Sequence, residues 1–594
     1  MAVPVEDLLL PRPRRARLDG ATRVVASGTV RDVSDASLPP QGYRLTIGGD
    51  GGVEVAASDD SGRFYARATL AQLERTVGDG ALPVGVVEDW PDLAVRGVML
   101  DVSRTKVPTL DTLFGLIDRL ASWKVNHVEL YMEHTFAYPG HETVWAGADP
   151  YDAADLARLA AFCRERHVEL TPNQNCLGHM ERWLVHDRYA PLGLSRGVTS
   201  GPMGMPFPAS TIDPALPGSL ALARDLFGTL GSALPGARFH VGLDEPWDLP
   251  DERAADWRTW LDTLRGLPEL SDRELLVWGD MVAAHPELLA HLPDGVTVCE
   301  WGYESNHPFV DRGRVLADAG ATHWVCPGTS SWMSVLGRTT NAIEGSRAAA
   351  GAAASTGASG MLVTDWGDFG HLQHLPVSDP GLAAAAAFSW CAAANDDLDA
   401  SRIGALLDVH DFGDEAARVG RALVTLGDVH SLQPCAIPNM SFLVLPLYFP
   451  QLPLGPGLGG EIGPAHVEAV EAAIGSALDD LAAAKPGTGH GQLAVEELRT
   501  GAELVSVVWR DIRARLGGDG TLAGIPADVR RSLADDTDTM VDAHRQRWLA
   551  RNRPGGLDES CRWLTHLRDC YTQGEADDDW AGPLVERIRQ QAAT

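Results

Sequence analysis

From Leu93 onward, short apolar runs alternate with longer amphipathic stretches. Eight runs read as buried strands: VRGVMLDV, HVELYM, VELTPNQ, FHVGLDE, LLVWGDM, VTVCEWGY, THWVCPG and MLVTDWGD. Continuous apolar character is expected of strands covered on both faces. Between them lie helical spacings such as LDTLFGLIDRLASWK and AADLARLAAFCRER. Regular strand–helix alternation predicts an α/β fold with a parallel sheet. Eight units in about 300 residues predict a closed (β/α)8 TIM barrel over residues 93–398.

The pattern differs on either side. Residues 1–92 carry short β-rich runs, TRVVASG, YRLTIGG and VEVAAS, then a helical FYARATLAQLERTV, which predicts a small α/β domain. Residues 86–91 read as an acidic, proline-ended connector. Residues 399–594 are helical in spacing, as in PAHVEAVEAAIGSALDDLAAA and QLAVEELRTGAELVSVVWRDIRARL. This C-terminal helical domain packs under the barrel, forms a dimer interface or closes the site. Oligomeric state is open, with a homodimer among the options.

Charge narrows the partners. A formal net charge of -32 excludes the clustered basic surface that nucleic acid needs. The N-terminal LLL run is broken at once by Pro11 and Pro13, so neither a secretory signal nor a membrane span is expected, and the setting reads as cytoplasmic. The eight cysteines form no C-x-x-C pair, which fits free thiols and no metal or redox cofactor.

Polar and aromatic residues recur at the strand ends, where barrel enzymes place their chemistry. Arg104 follows the first strand, Glu133 and His134 the second, and residues 173–179 the third. Asp244 and Glu245 end the fourth, Trp278 and Asp280 the fifth, Glu300 and Trp301 the sixth, and Trp366 and Asp368 the eighth. Paired carboxyl groups with tryptophans around them suit a sugar site: glycoside hydrolysis uses carboxyl groups beside the scissile bond, and aromatic rings pack on apolar sugar faces. Adjacent Asp244 and Glu245 share a pocket only where the backbone leaves regular β geometry. CPGTSSW, after the seventh strand, offers no carboxylate, which leaves Asp280, Glu300 and Asp368 as other partners for an acid. Arg104 reads either as a ligand-binding residue or as the counter-charge of Asp101. Trp332 reads as pocket lining or as a loop wedge. Trp548 with RNRPGG reads as a Gly-Gly turn or as a loop reaching the barrel mouth.

RGVMLDVSR, WKVNHVELYM, LGHM, HVGLDE and DWGD stand in the order found in family 20 glycoside hydrolases, the β-N-acetylhexosaminidases, and the chain resembles that family from about Trp90 to Trp390. The resemblance implies exo-hydrolysis of a terminal β-linked N-acetylhexosamine, with the substrate's own acetamido oxygen as nucleophile and an oxazolinium intermediate. It implies Glu245 as general acid and base, and Asp244 as the group that orients the acetamide. It further implies Arg104 and Asp368 on outer hydroxyls, His179 coupled to the acid, and Trp278, Trp301 and Trp366 as aromatic walls. The sequence departs from the family at two points. YMEHTFAY replaces H-x-x-D-D, so Glu133, His134 or Glu142 stands in for the residue supporting His179, and the family tyrosine after the seventh strand has no match. Two other readings stay open: a retaining β-glycosidase using Glu245 with a second carboxylate, and an inactive sugar-binding barrel. Metal hydrolysis lacks the H-x-H or H-E-x-x-H it would need.

Overall fold

The computed structural model describes residues 4–24, 30–78, 80–201, 206–290 and 292–576. Eight parallel strands close into a barrel: Val95–Asp101, His127–Met132, Glu169–Gln174, Arg238–His240, Glu274–Trp278, Val296–Trp301, Thr322–Cys326 and Gly360–Asp365. All eight fall on the runs read from the sequence. Closure is made where Gly360–Asp365 pairs in register with Val95–Leu100. The surrounding helices follow their apolar spacing. Leu110–Ser122 turns Leu113, Leu116, Ile117 and Leu120 inward and starts at Thr109, whose side chain accepts from the Thr112 amide. Ala153–Arg164 starts in a capping box formed by Asp152 and Asp155.

The N-terminal domain is a five-stranded sheet backed by one helix, Asp60–Val77. Residues 25–28 of the TRVVASG run lie outside the described residues. The expected connector at 86–91 is instead the end of a strand, Ala81–Asp89. Its acidic look misleads because Asp89 is fully buried and fully used. Asp89 accepts from Lys124 Nζ and Trp390 Nε1 at 2.8 Å, from the Tyr43 hydroxyl at 3.0 Å and from the Arg14 amide at 2.9 Å. A buried charge is tolerated only when so partnered.

The C-terminal region is helical, with Pro464–Ala483, Gly489–Leu516, Ala527–Arg551 and Leu557–Gln573 as its long members. It flanks the barrel mouth. Trp548 sits inside the third of these helices, buried, and not in a loop. The loop that follows does reach the mouth: Arg553 donates its amide to Val107 O at 2.8 Å, and Gly556 packs against Thr105. Among the described residues no helix is long and apolar enough to cross a membrane.

Candidate active site

Barrel strand 4 is regular only over Arg238–His240. Beyond it, Gly242, Leu243 and Glu245 have φ of 73°, 72° and 47°. Left-handed backbone at a leucine and a glutamate is strained, at a cost of order 1–3 kcal/mol per residue. The distortion breaks the alternation of a strand and sends two adjacent carboxylates to one atom. His179 Nε2 lies 3.2 Å from Asp244 Oδ2 and 3.3 Å from Glu245 Oε2. The close approach requires Gly178, where a Cβ would stand 2.3 Å from Asp244 O.

The two carboxylates differ in environment. Asp244 is buried, and its Oδ1 accepts from Asn175 Nδ2 at 2.6 Å. Burial opposes its charge, but the His179 ring and the hydrogen bonds from His179 and Asn175 hold its pKa below the usual carboxylate range. The Glu245 side chain keeps 34% exposure, so it is the member of the pair that faces solvent. Burial likewise works against a charged His179, yet the Asp244 carboxylate and the hydrogen bonds to both acids lift its pKa well above the ordinary value. The three groups also meet the spacing of a metal-ligand set; their separations equally suit a protonated imidazole bridging two carboxylates.

Arg104 is placed by Asp101, whose Oδ1 accepts from the Ser103 and Arg104 amides and whose Oδ2 accepts from the Gly367 amide. The counter-charge reading of Arg104 holds: its guanidinium lies 3.5 Å from Asp101, 3.2 Å from Glu133 and 3.8 Å from Asp368. It also stacks over Tyr131 and Trp366, at 4.9 and 5.1 Å from their ring centres. Burial raises the Asp368 pKa to about 6 against the pull of Arg104. Of the three residues expected to back His179, Glu133 comes near, at 3.9 Å from Nδ1, but the group within hydrogen-bond reach of that nitrogen is Arg104 Nη2, at 3.3 Å. His134 points the other way and lines a separate small cavity with Thr105, Arg182 and Glu559. Glu142 is exposed and accepts from the Gly140 amide.

The aromatic wall is continuous. Trp278 packs on His240 and stands 5.9 Å from Trp366. Trp366 donates its Nε1 to the Tyr303 hydroxyl oxygen at 2.8 Å, and Tyr303 stacks on Trp301 at 5.0 Å. Trp332, buried, meets Tyr303 edge-on at 5.1 Å and so packs against the wall. Tyr303 was not singled out from the sequence because it follows the sixth strand; its place in VTVCEWGY was the available signal. Trp247 was missed as well: it lies 5.2 Å from the His179 ring and directly follows the DEP turn. Glu300 is tied to His307 at 3.1 Å. Asp280 accepts the Glu245 amide at 2.9 Å, and burial, reinforced by Asp244, pushes its pKa up to about 8.

A parallel barrel that gathers a carboxylate pair, an arginine and aromatic rings at the C-terminal ends of its strands has the architecture of a barrel glycoside hydrolase. The chain matches the family models "Glycosyl hydrolase family 20, domain 2" over residues 9–90 and "Glycosyl hydrolase family 20, catalytic domain" over residues 94–334. The chain belongs to glycoside hydrolase family 20. It is 26% identical over 333 residues to a beta-N-acetylhexosaminidase of Cellulomonas fimi, covering 53% of this chain and 63% of that protein. To a beta-hexosaminidase of Akkermansia muciniphila it is 28% identical over 194 residues, 29% of this chain and 38% of that one. The chain therefore spans less than two thirds of either relative. In fold it is similar to the GH20 beta-N-acetylhexosaminidase from Streptomyces coelicolor A3(2), with a TM-score of 0.53 at 20% identity, over 69% of this chain and 96% of the other.

Proposed function

We propose that the protein is an exo-acting, retaining β-N-acetylhexosaminidase that releases terminal β-linked N-acetylglucosamine or N-acetylgalactosamine by substrate-assisted catalysis. The observation that carries this reading is the single imidazole nitrogen bridging Asp244 and Glu245 in front of a Trp278–Trp366–Tyr303–Trp301 wall. Glu245, the exposed member, protonates the glycosidic oxygen as the acetamido oxygen attacks the anomeric carbon. Asp244, buried and held ionised, accepts the acetamido N–H and stabilises the positive oxazolinium ring. Tyr303, whose oxygen already accepts from Trp366, is left with its own proton to donate to the acetamido oxygen. Water then opens the ring with Glu245 as base, and the second inversion restores the configuration. Arg104 and Asp368 hold the outer hydroxyls.

The rival, Glu245 with a second carboxylate on another strand, finds little support. Asp280 is bound to the Glu245 amide, Glu300 is tied to His307, and Asp368 lies with Arg104. All eight cysteines are free thiols and seven are buried, which favours a reducing, cytoplasmic setting.

The test is turnover of 4-nitrophenyl β-N-acetylglucosaminide, β-N-acetylgalactosaminide and plain β-glucoside. Wild type is expected to hydrolyse an N-acetyl substrate, ignore the glucoside and be blocked by a thiazoline mimic of the oxazoline. Glu245→Gln is expected to lose about 10³-fold in kcat/KM. Comparable turnover of the plain glucoside would sink substrate assistance.

A further inference from the structure

The loop after barrel strand 8 carries Asp368 and then runs beneath the helical domain. Phe369 stands 5.9 Å from Tyr448 and 5.5 Å from Trp563, and those two rings are 5.5 Å apart, all edge-to-face. Trp563 occupies the place of a side chain at Gly370, where a Cβ would be 2.2 Å from the indole. Ser560, on the same helix, donates to Gly370 O. The helical domain is thus docked onto the loop that presents Asp368.

Tyr448 is the informative member. Its ring is buried, at 5% exposure, and packs edge-on against Phe369, the residue that follows Asp368. That hydroxyl has no hydrogen-bond partner among the described residues, and it is not one of the sealed, unpartnered polar atoms either. A hydroxyl left open on a ring that packs on the loop carrying Asp368 has hydrogen-bonding capacity for a ligand.

We propose that Tyr448 is a specificity-determining residue of the sugar pocket: its hydroxyl, together with Asp368, binds the C4 hydroxyl of the terminal sugar, and the Tyr448–Trp563–Phe369 wall closes the pocket at the non-reducing end. This rests on reading Arg104 and Asp368 as the grip on the outer hydroxyls. The helical domain then belongs to the substrate site and sets the choice between gluco and galacto configuration.

The test measures kcat and KM on the two 4-epimeric 4-nitrophenyl N-acetylhexosaminides for wild type and Tyr448→Phe, with thermal midpoints alongside. The expected result is KM raised about fivefold for the preferred epimer, kcat little changed and the epimer ratio shifted toward one, as loss of one binding hydrogen bond requires. A folded Tyr448→Phe with unchanged KM and ratio overturns the proposal, and so does a lowered midpoint with the ratio intact, which would mark a packing role. Should Tyr448→Phe fail to fold, Trp563→Phe must shift the ratio in the same direction, and an unchanged ratio overturns it. Wild type inactive on both epimers is a different failure, that of the functional reading itself.

Discussion

The molecule contains two clusters built from nearly the same parts. At the barrel mouth His179 joins Asp244 and Glu245, with Arg104 alongside. Where the helical domain meets the barrel wall, His490 lies 3.1 Å from Asp379 and 3.5 Å from Asp411, and Arg119 bridges the same two carboxylates at 3.3 and 2.8 Å. Both sets have the spacing of a metal-ligand triad. They differ in how far solvent reaches them. Arg119 already fills the second cluster, whose carboxylates are wholly enclosed and whose histidine is stacked on Phe412. In the first, Glu245 is one-third open and an aromatic wall stands opposite. Composition and spacing do not separate a solvent-facing cluster from an ion-pair weld; access does.

Matched substitutions sharpen that contrast. Asp244→Asn is expected to lower kcat by two to three orders of magnitude, roughly the loss of one preorganised charge-stabilising group, with the thermal midpoint nearly unmoved. Asp411→Asn should do the reverse: lose about 3 kcal/mol of stability by leaving Arg119 poorly paired, with kcat of the folded fraction intact. If the second variant lost turnover at unchanged stability, the distinction between the clusters would collapse.

Smaller effects come from pH. Asp280, pushed up to about 8, is neutral below that pH and adds a charge beside Asp244 above it. Activity of the wild type should therefore fall as pH rises through about 8, and Asp280→Asn, a permanent mimic of the neutral form, should lack that limb. Smaller still, Asp368 loses its charge as pH drops through about 6, which weakens its acceptance of a sugar hydroxyl. KM should rise about fivefold between neutral and acidic pH, and Asp368→Asn should flatten the dependence.

Much of this was legible in the sequence. The eight barrel strands stand out because a strand buried on both faces is a continuous apolar run ending in polar residues. The Asp244–Glu245 pair stood out because it ends such a run. What could not be read depends on contacts between distant positions. Asp89 looks like a loop residue until Trp390 and Lys124 are seen to donate to it. Glu133 rather than His134 turns toward His179 because of which way each side chain points after the strand. Tyr303 stands with the aromatic wall from the sixth strand's loop, although the family position lies after the seventh. Tyr448 and Trp563 come from another domain, beyond the residues that match the family models.

Asp89 also fixes what can be cut from this protein. Its donors are contributed by Arg14, Tyr43, Lys124 and Trp390, from both sides of the apparent domain boundary. Removing the first 92 residues would strand the Lys124 ammonium in a dry barrel wall, and expressing those residues alone would leave a naked carboxylate inside a sheet. The N-terminal sheet keeps an apolar core of its own, joined by Trp390, so a truncation at residue 92 is expected to leave both pieces poorly soluble.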